Sequence, residues 1–274
     1  MTPKRAVLAV ARFLVRNAFR DRVFGMRGES GQRIWYRPAE YPSLLAGIHR
    51  FEPHYRREWE TLLPGTDFIL DVGANIGLTV QRFHVLTGGA ARIAAFEPSP
   101  RNIELLHKNI RELHSEHISV YEGAVAAACG RLTFCDNLEH GGLSRLGSSA
   151  GKRNETMWKH QLEYEVDTVT LDSYLADVPP GSRTLFMKID VEGSAGLVLE
   201  GARATLQTHP VIIACSFHSQ AEITAVLSLM DQYGYRSIQY TAPASWSWCS
   251  PEQSKGYFIH PDDPRCSRLK LTPA

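Results

Sequence analysis

Three short stretches of this 274-residue chain hold residue types at spacings that can do chemistry. The first is Asp71-Val72-Gly73-Ala74-Asn75-Ile76-Gly77. It ends the apolar run Asp67 to Val72 and opens the helical pattern Leu78 to Leu86. Small residues at such a junction permit a tight turn, let a ligand approach the backbone and leave the helix N–H groups free to meet it. The second is Glu97, twenty residues beyond Gly77, at the end of the apolar run Ala91 to Phe96. A carboxylate at that strand end can accept from both hydroxyls of a ribose. The third is Lys188-Ile189-Asp190-Val191-Glu192-Gly193, which ends the run Thr184 to Ile189. Asp190 and Glu192 share a side if the strand continues that far. Paired carboxylates at a strand end of an open α/β sheet point to function; helix capping is the plainer alternative for Asp190. His218 follows the run Val211 to Phe217 and should emerge on the same rim, although a lone histidine can be structural. His140, beside Gly141-Gly142, is a further candidate.

The first two stretches together describe a nucleoside held at strand ends. A dinucleotide would use G-x-G-x-x-G, but here Asn75 replaces the second glycine, so the close approach of a pyrophosphate is lost. Asp71, two places before Gly73, would repel a pyrophosphate and suits an ammonium group. A nucleoside with a charged amino acid tail and no phosphate fits better, which is S-adenosylmethionine. NAD, and a turn with no ligand, are the alternatives.

The elements that must position these residues alternate. From Asp67 to Tyr121 the pattern is strand, helix, strand, helix, strand, with helix Asn102 to Leu113 in second place, which is the rhythm of a parallel sheet. It breaks over 126–184, where Arg131 to Cys135 and Glu165 to Leu171 look like strands around a polar stretch, Ser148 to Glu155. This reads as a hairpin insertion whose segment 136–160 acts as a lid. Alternation resumes with Thr184 to Ile189, a helix Ala195 to Leu206, strand Val211 to Phe217 and a helix Ile223 to Tyr233 stopped by Gly234. Arg236 to Tyr240 and Gly256 to Ile259 close the sheet. Trp246 and Trp248 fall in the loop between them, to stack on an acceptor or to plug the core. Residues 40–63 look helical and stop at Pro64-Gly65. Residues 1–24 read as an amphipathic helix with Arg12, Arg16 and Arg20 on one face, either solvated or against an anionic surface.

Composition sets the bounds. At 43% apolar and 22% charged residues the chain is globular rather than disordered or fibrous. Its net charge of +1 gives no reason to expect nucleic acid. Residues 1–37 carry nine basic residues against two acidic ones, so the excess sits in the N-terminal arm. Five scattered cysteines read as reduced thiols. The early apolar run Ala6 to Ala11 is too short for a signal-peptide core or a membrane span, so a cytoplasmic protein is expected.

The stretches DVGANIG (71–77), FEPSPRNIELLHKNI (96–110), VDTVTLDSYL (166–175) and MKIDVEGSAGLVLEGA (187–202) resemble the FkbM-type S-adenosylmethionine-dependent methyltransferases over about residues 66–240. The resemblance implies a Rossmann-like class I methyltransferase fold: a mostly parallel seven-stranded sheet, its last strand antiparallel, with helices on both faces. To this the chain adds an N-terminal helical arm and the insertion between the third and fourth strands. The divisions expected are an arm and lead-in helix at 1–63, the methyltransferase domain at 64–260 and a tail at 261–274.

The matched positions imply roles. Gly73, Ala74 and Gly77 line the methionine portion, Asp71 holds its ammonium directly or through water, and Asn75 caps the helix or touches the carboxylate. Glu97 binds the ribose, Pro98 and Ser99 follow the adenine, and Gly123-Ala124 read the adenine edges unless Gly123 is a plain strand-end glycine. Asp190 borders both cofactor and acceptor. The implied reaction is O-methylation of a small-molecule hydroxyl, most often of a sugar; a polyketide or phenol, or cofactor binding without turnover, are the other readings. Two routes could activate the hydroxyl. Either His218 or Asp190 removes the proton, or Asp190, Glu192 and His218 hold Mg²⁺ or Mn²⁺. The basic arm also allows weak membrane-surface contact, and its apolar stripe a homodimer.

Overall fold

The computed structural model describes residues 18–19, 22–28, 31–47, 53–137, 144–147, 161–178, 184–241, 245–249 and 255–271. The expected N-terminal helix, His140 and most of the expected lid lie outside these residues.

Eight strands form the main sheet. From the middle of the sheet, β3 (Phe68–Val72), β4 (Arg92–Phe96) and β5 (Ile118–Tyr121) follow one another toward one edge, and β10 (Leu185–Ile189) and β11 (Val211–Ser216) toward the other. All five are parallel. β14 (Lys255–Ile259) lies antiparallel between β11 and β12 (Arg236–Thr241), and β13 (Ser245–Trp248) pairs with β12 at the edge. The expected seven strands and the reversed last one are therefore present. The stretch read as a Trp-bearing loop is instead an eighth strand. It forms because Trp246 fills the core beside Tyr240 and Tyr257, its indole N–H donating to Thr61 Oγ1 at 2.9 Å, so this tryptophan serves packing.

Strand alternation divides the core into two layers. Ile69, Ile93, Phe186 and Ile212 face Trp59, Val80 and Phe83 on one side. Leu70, Met187, Ile189 and Ile213 face Val198, Leu206 and Val226 on the other. Helices cover both faces, so the strands read as continuous apolar runs.

The insertion builds its own sheet, ordered β6 (Ala124–Val125), β9 (Gln161–Val169), β7 (Gly130–Asn137) and β8 (Arg145–Leu146). β7 and β9 are longer than the runs that announced them, because eight antiparallel pairs extend them into polar sequence. Leu171 belongs to the helical turn Leu171–Tyr174 rather than to β9.

Two other expectations change. Residues 40–63 hold a 3₁₀ turn, Pro42–Ala46, and a helix, Pro53–Leu62. The segment Ala195 to Leu206 is two helices, Ala195–Glu200 and Arg203–Thr208, broken at Gly201. The break lets Asp172 cap the second helix, accepting from the backbone N–H groups of Ala204 and Thr205 at 2.9 and 2.8 Å. A hairpin of β1 (Phe24–Arg27) and β2 (Arg33–Tyr36), unread in the sequence, docks on helix Pro100–Arg111. Its anchor is the Asn109 side chain, which bonds both the N–H and the C=O of Trp35. Among the described residues no helix is long and apolar enough to cross a membrane, and all five cysteines are free thiols.

Candidate active site

The chain reverses its direction of travel across the sheet between β3 and β10. Open α/β sheets bind ligands at such a switch point, beyond the strands' carboxyl ends. Val72 pairs with Ile189, which sets Gly73 opposite Asp190. Gly73 adopts φ +80°, and a Cβ on it would stand 2.2 Å from the Asp190 carbonyl oxygen, so only glycine fits this approach. Gly77 adopts the left-handed conformation at the start of helix Leu78–Leu86, against Leu106.

Asn75 is left-handed too, with φ 54°. Its Oδ1 accepts from the Ile76 N–H at 2.7 Å and from the Tyr41 hydroxyl at 2.5 Å. Its own N–H donates to Glu97 Oε2 at 2.8 Å, tying the two nucleoside motifs together. Glu97 Oε1 accepts from the Ser99 N–H at 3.0 Å and from Asn102 Nδ2 at 3.1 Å. A carboxylate offers about four lone-pair positions. Three are thus filled, and one on Oε2 remains for a ligand hydroxyl rather than the two expected. Burial pushes the Glu97 carboxyl up to about 7, the three hydrogen bonds opposing it.

Behind this lies Asp136. Buried, it accepts from Ser99 Oγ at 2.8 Å, Ser144 Oγ at 2.7 Å and Tyr164 Oη at 2.9 Å. Through it the inserted sheet is fastened to the loop that carries Glu97.

A row of charges runs along the ends of β3, β10 and β11. Asp71 is wholly buried; its Oδ1 lies 3.1 Å from Lys188 Nζ, and Thr79 Oγ1 donates to its Oδ2. Lys188 also donates to the Gly73 carbonyl at 2.7 Å and lies 3.9 Å from Asp190. Asp71 therefore spends its charge on Lys188, its cross-strand neighbour, and does not line the cleft. His218 stands between two carboxylates, Nε2 3.2 Å from Asp190 Oδ1 and Nδ1 3.3 Å from Glu192 Oε1. Glu222 holds the backbone beneath, accepting from the N–H groups of His218 and Ala195. Burial works against a charged His218 ring, but the bond to Asp190 and the charges of Glu192 and Asp190 prevail and raise its pKa above the ordinary value. Burial likewise opposes ionisation of Asp190, yet Lys188, His218 and Ser216 hold its carboxyl below the usual range.

These groups border an open cleft at the strand ends. Of the residues the sequence singled out, Gly73, Asn75, Glu97, Pro98, Gly123, Ala124, Asp190 and Glu192 line it. Ala74, Gly77, Ser99 and His218 stand behind the lining and shape it. The walls also include Phe96, Val125, Phe134 and Leu146, and Asn102, Ser144 and Arg145, to which the sequence assigned no role. An apolar slot that ends on a buried carboxylate, beside a glycine with no room for a side chain, fits adenosine and the methionine arm of S-adenosylmethionine.

A divalent cation fits less well. The imidazole is inserted between its two proposed co-ligands, one nitrogen to each, so Asp190, Glu192 and His218 do not converge on one point. Among the described residues no group of three His, Cys, Asp or Glu side chains could hold a metal ion.

Sheet order, switch-point cleft and buried strand-end carboxylate define a class I S-adenosylmethionine-dependent methyltransferase. Residues 71–237 match the family model for the methyltransferase FkbM domain, and the chain belongs to that family. It is similar to a protein named Methyltransferase 1 from Beauveria bassiana (strain ARSEF 2860), 28% identical over 211 residues that cover 69% of this chain and 78% of the relative. Among solved structures it is similar to the methyltransferase FkbM from Methylobacillus flagellatus KT, with TM-score 0.49 and 20% identity over 76% of this chain; it spans half of that protein's length. Another is the fibrillarin of Aeropyrum pernix with natively bound S-adenosyl-L-methionine, with TM-score 0.41 and 14% identity, covering 87% of this chain and 96% of that one.

Proposed function

We propose that the protein transfers a methyl group to a hydroxyl oxygen of a small-molecule acceptor, a saccharide foremost. The observation that carries this reading is the Asp190–His218–Glu192 row at the edge of the cofactor cleft. A hydroxyl is a poor nucleophile until its proton leaves, and this row is built to receive one.

S-adenosylmethionine supplies an electrophilic methyl on a sulfonium and departs as a thioether. The chain's own residues do the rest. Glu97 and the Gly73–Asn75 turn fix the nucleoside, so that the acceptor meets the methyl group in line. Asp190, ionised and lining the cleft, accepts a hydrogen bond from the acceptor hydroxyl and orients a lone pair of that oxygen. As the C–O bond forms and the C–S pair leaves with sulfur, the hydroxyl proton passes by way of Asp190 to His218 Nε2. His218 must be neutral beforehand, and Glu192 holds its far nitrogen as the N–H tautomer.

The test is transfer of labelled methyl from S-adenosylmethionine into extracted glycans and metabolites. Label recovered as a sugar methyl ether is expected. Label on a phenolic or polyketide hydroxyl would replace the acceptor and keep the oxygen chemistry. Label on nitrogen or carbon alone would end the reading.

A further inference from the structure

A segment that precedes the matched domain reaches the cofactor loop. Residues 33–41 run along helix Pro100–Arg111 and are tied to it repeatedly. Asn109 bonds the backbone of Trp35, and the Trp35 indole N–H donates to Glu112 Oε1 at 2.8 Å. Arg37, buried, donates to the Arg101 carbonyl at 2.9 Å and pairs with Glu104, and the buried Glu40 pairs with Arg101. At the end of this strap the Tyr41 ring packs against the cluster that holds Ile34, Leu44, Ile76 and Leu105. Its hydroxyl faces Asn75 Oδ1 at 2.5 Å and Asn102 Oδ1 at 2.9 Å. Both of these residues also touch Glu97: the Asn75 N–H donates to Oε2 and Asn102 Nδ2 to Oε1. One phenol thus stands behind two of the three donors that fix the Glu97 carboxylate. Burial, then the charges of Glu40 and Glu97, raise its pKa well above the ordinary value, so it remains a donor.

We infer that Tyr41 is a positioning residue of the cofactor site, holding Asn75 and Asn102 so that Glu97 meets the ribose with its remaining lone pair. The inference rests on the assignment of Glu97 to the ribose. Asn75 is where the hydroxyl matters most. A residue other than glycine keeps a left-handed backbone only where its surroundings fix it, and Asn75 has φ 54°. The Ile76 N–H donates to Asn75 Oδ1 from within the same turn and moves with it. The Tyr41 hydroxyl comes from a separate segment, itself fastened to the helix that carries Asn102, and so ties the turn to a fixed frame. Removing it leaves both donors on Glu97 but frees their direction.

The test compares S-adenosylhomocysteine with its analogue lacking both ribose hydroxyls, by calorimetry at pH 8, where Glu97 is ionised. The wild type should prefer the natural ligand by about tenfold or more, because the analogue leaves the Glu97 lone pair without a donor. Tyr41→Phe keeps the ring and its packing. It should cut that preference by about fivefold while the analogue binds within about twofold of its wild-type affinity. A merely structural role would weaken both ligands alike. That result, or a wild-type preference in Tyr41→Phe, would overturn the inference. If Tyr41→Phe does not fold, Arg37→Gln, which loosens the strap short of Tyr41, is read by the same ratio. A wild type that binds both ligands equally would defeat the ribose assignment itself, and the inference with it.

Discussion

In its proposed role Glu97 is buried against the nucleoside and ionised to accept from it, and the two demands oppose each other. Its folded pKa, about 7, lies above the unfolded value, so its protonated form stabilises the fold. That contribution is full below the unfolded pKa near 4.5 and is lost as pH rises through about 7. Wild-type stability without ligand should therefore fall across this window by up to about 3 kcal/mol through this group, whereas S-adenosylhomocysteine affinity should rise across it. Denaturant titrations at pH 5 and 8 check the first and calorimetry the second. Glu97→Gln should flatten the stability slope and weaken binding by about 1–3 kcal/mol; a variant with the wild-type slope would remove the assignment. At His218 the raised pKa puts the neutral, proton-accepting form above the ordinary imidazole range. Activity should climb with pH through a midpoint above 6.5, and His218→Asn should lower kcat by about 10²–10⁴-fold and abolish that limb. An unchanged acidic limb in His218→Asn would show that another group takes the proton.

Between elements, one carboxylate often decides the join. Asp136 draws hydroxyls from the loop after β4, from residue 144 and from β9. Asp136→Asn should cost about 1–3 kcal/mol of stability and weaken S-adenosylhomocysteine binding, because Ser144 and the Glu97 loop both border the cleft. Loss of stability with intact binding would reduce Asp136 to a structural tie. The helix break at Gly201 works the same way through Asp172. A Cβ on Gly201 would stand 2.1 Å from the Ala126 carbonyl oxygen, so only glycine lets the chain pass so close there. Asp172→Ala should remove about 1–2 kcal/mol, the worth of a cap, as seen by thermal denaturation; no loss would mean that the Gly201 turn alone sets the break.

For the whole molecule, the cleft is bordered by both sheets, so a ligand in it should stabilise them together. At about 100 times its dissociation constant, S-adenosylhomocysteine should add about 2.7 kcal/mol, or about 5–10 °C for a chain of this size. A single calorimetric transition that moves as one is expected. Two transitions, with only one shifted, would separate the inserted sheet from the cofactor-binding body.

The turn at Gly73, the strand-end Glu97, the alternation of strands and helices and the cofactor class were all legible in the sequence. Each is local: a glycine spacing, an apolar run or a carboxylate a fixed distance beyond a turn carries its physical reason within about thirty residues. What the tertiary structure decided depends on which strands pair and in what register. Pairing of β3 with β10 gave Asp71 to Lys188 rather than to the cleft. The alignment of β10 with β11 placed His218 between Asp190 and Glu192, one ring nitrogen facing each carboxylate, so that the three do not converge on one point. Pairing of β12 with β13 made a core residue of Trp246, and β7 with β9 brought Asp136 beneath Glu97's loop. Residue spacing alone does not give these registers, because β-sheet neighbours are set by the fold's topology and not by chain separation.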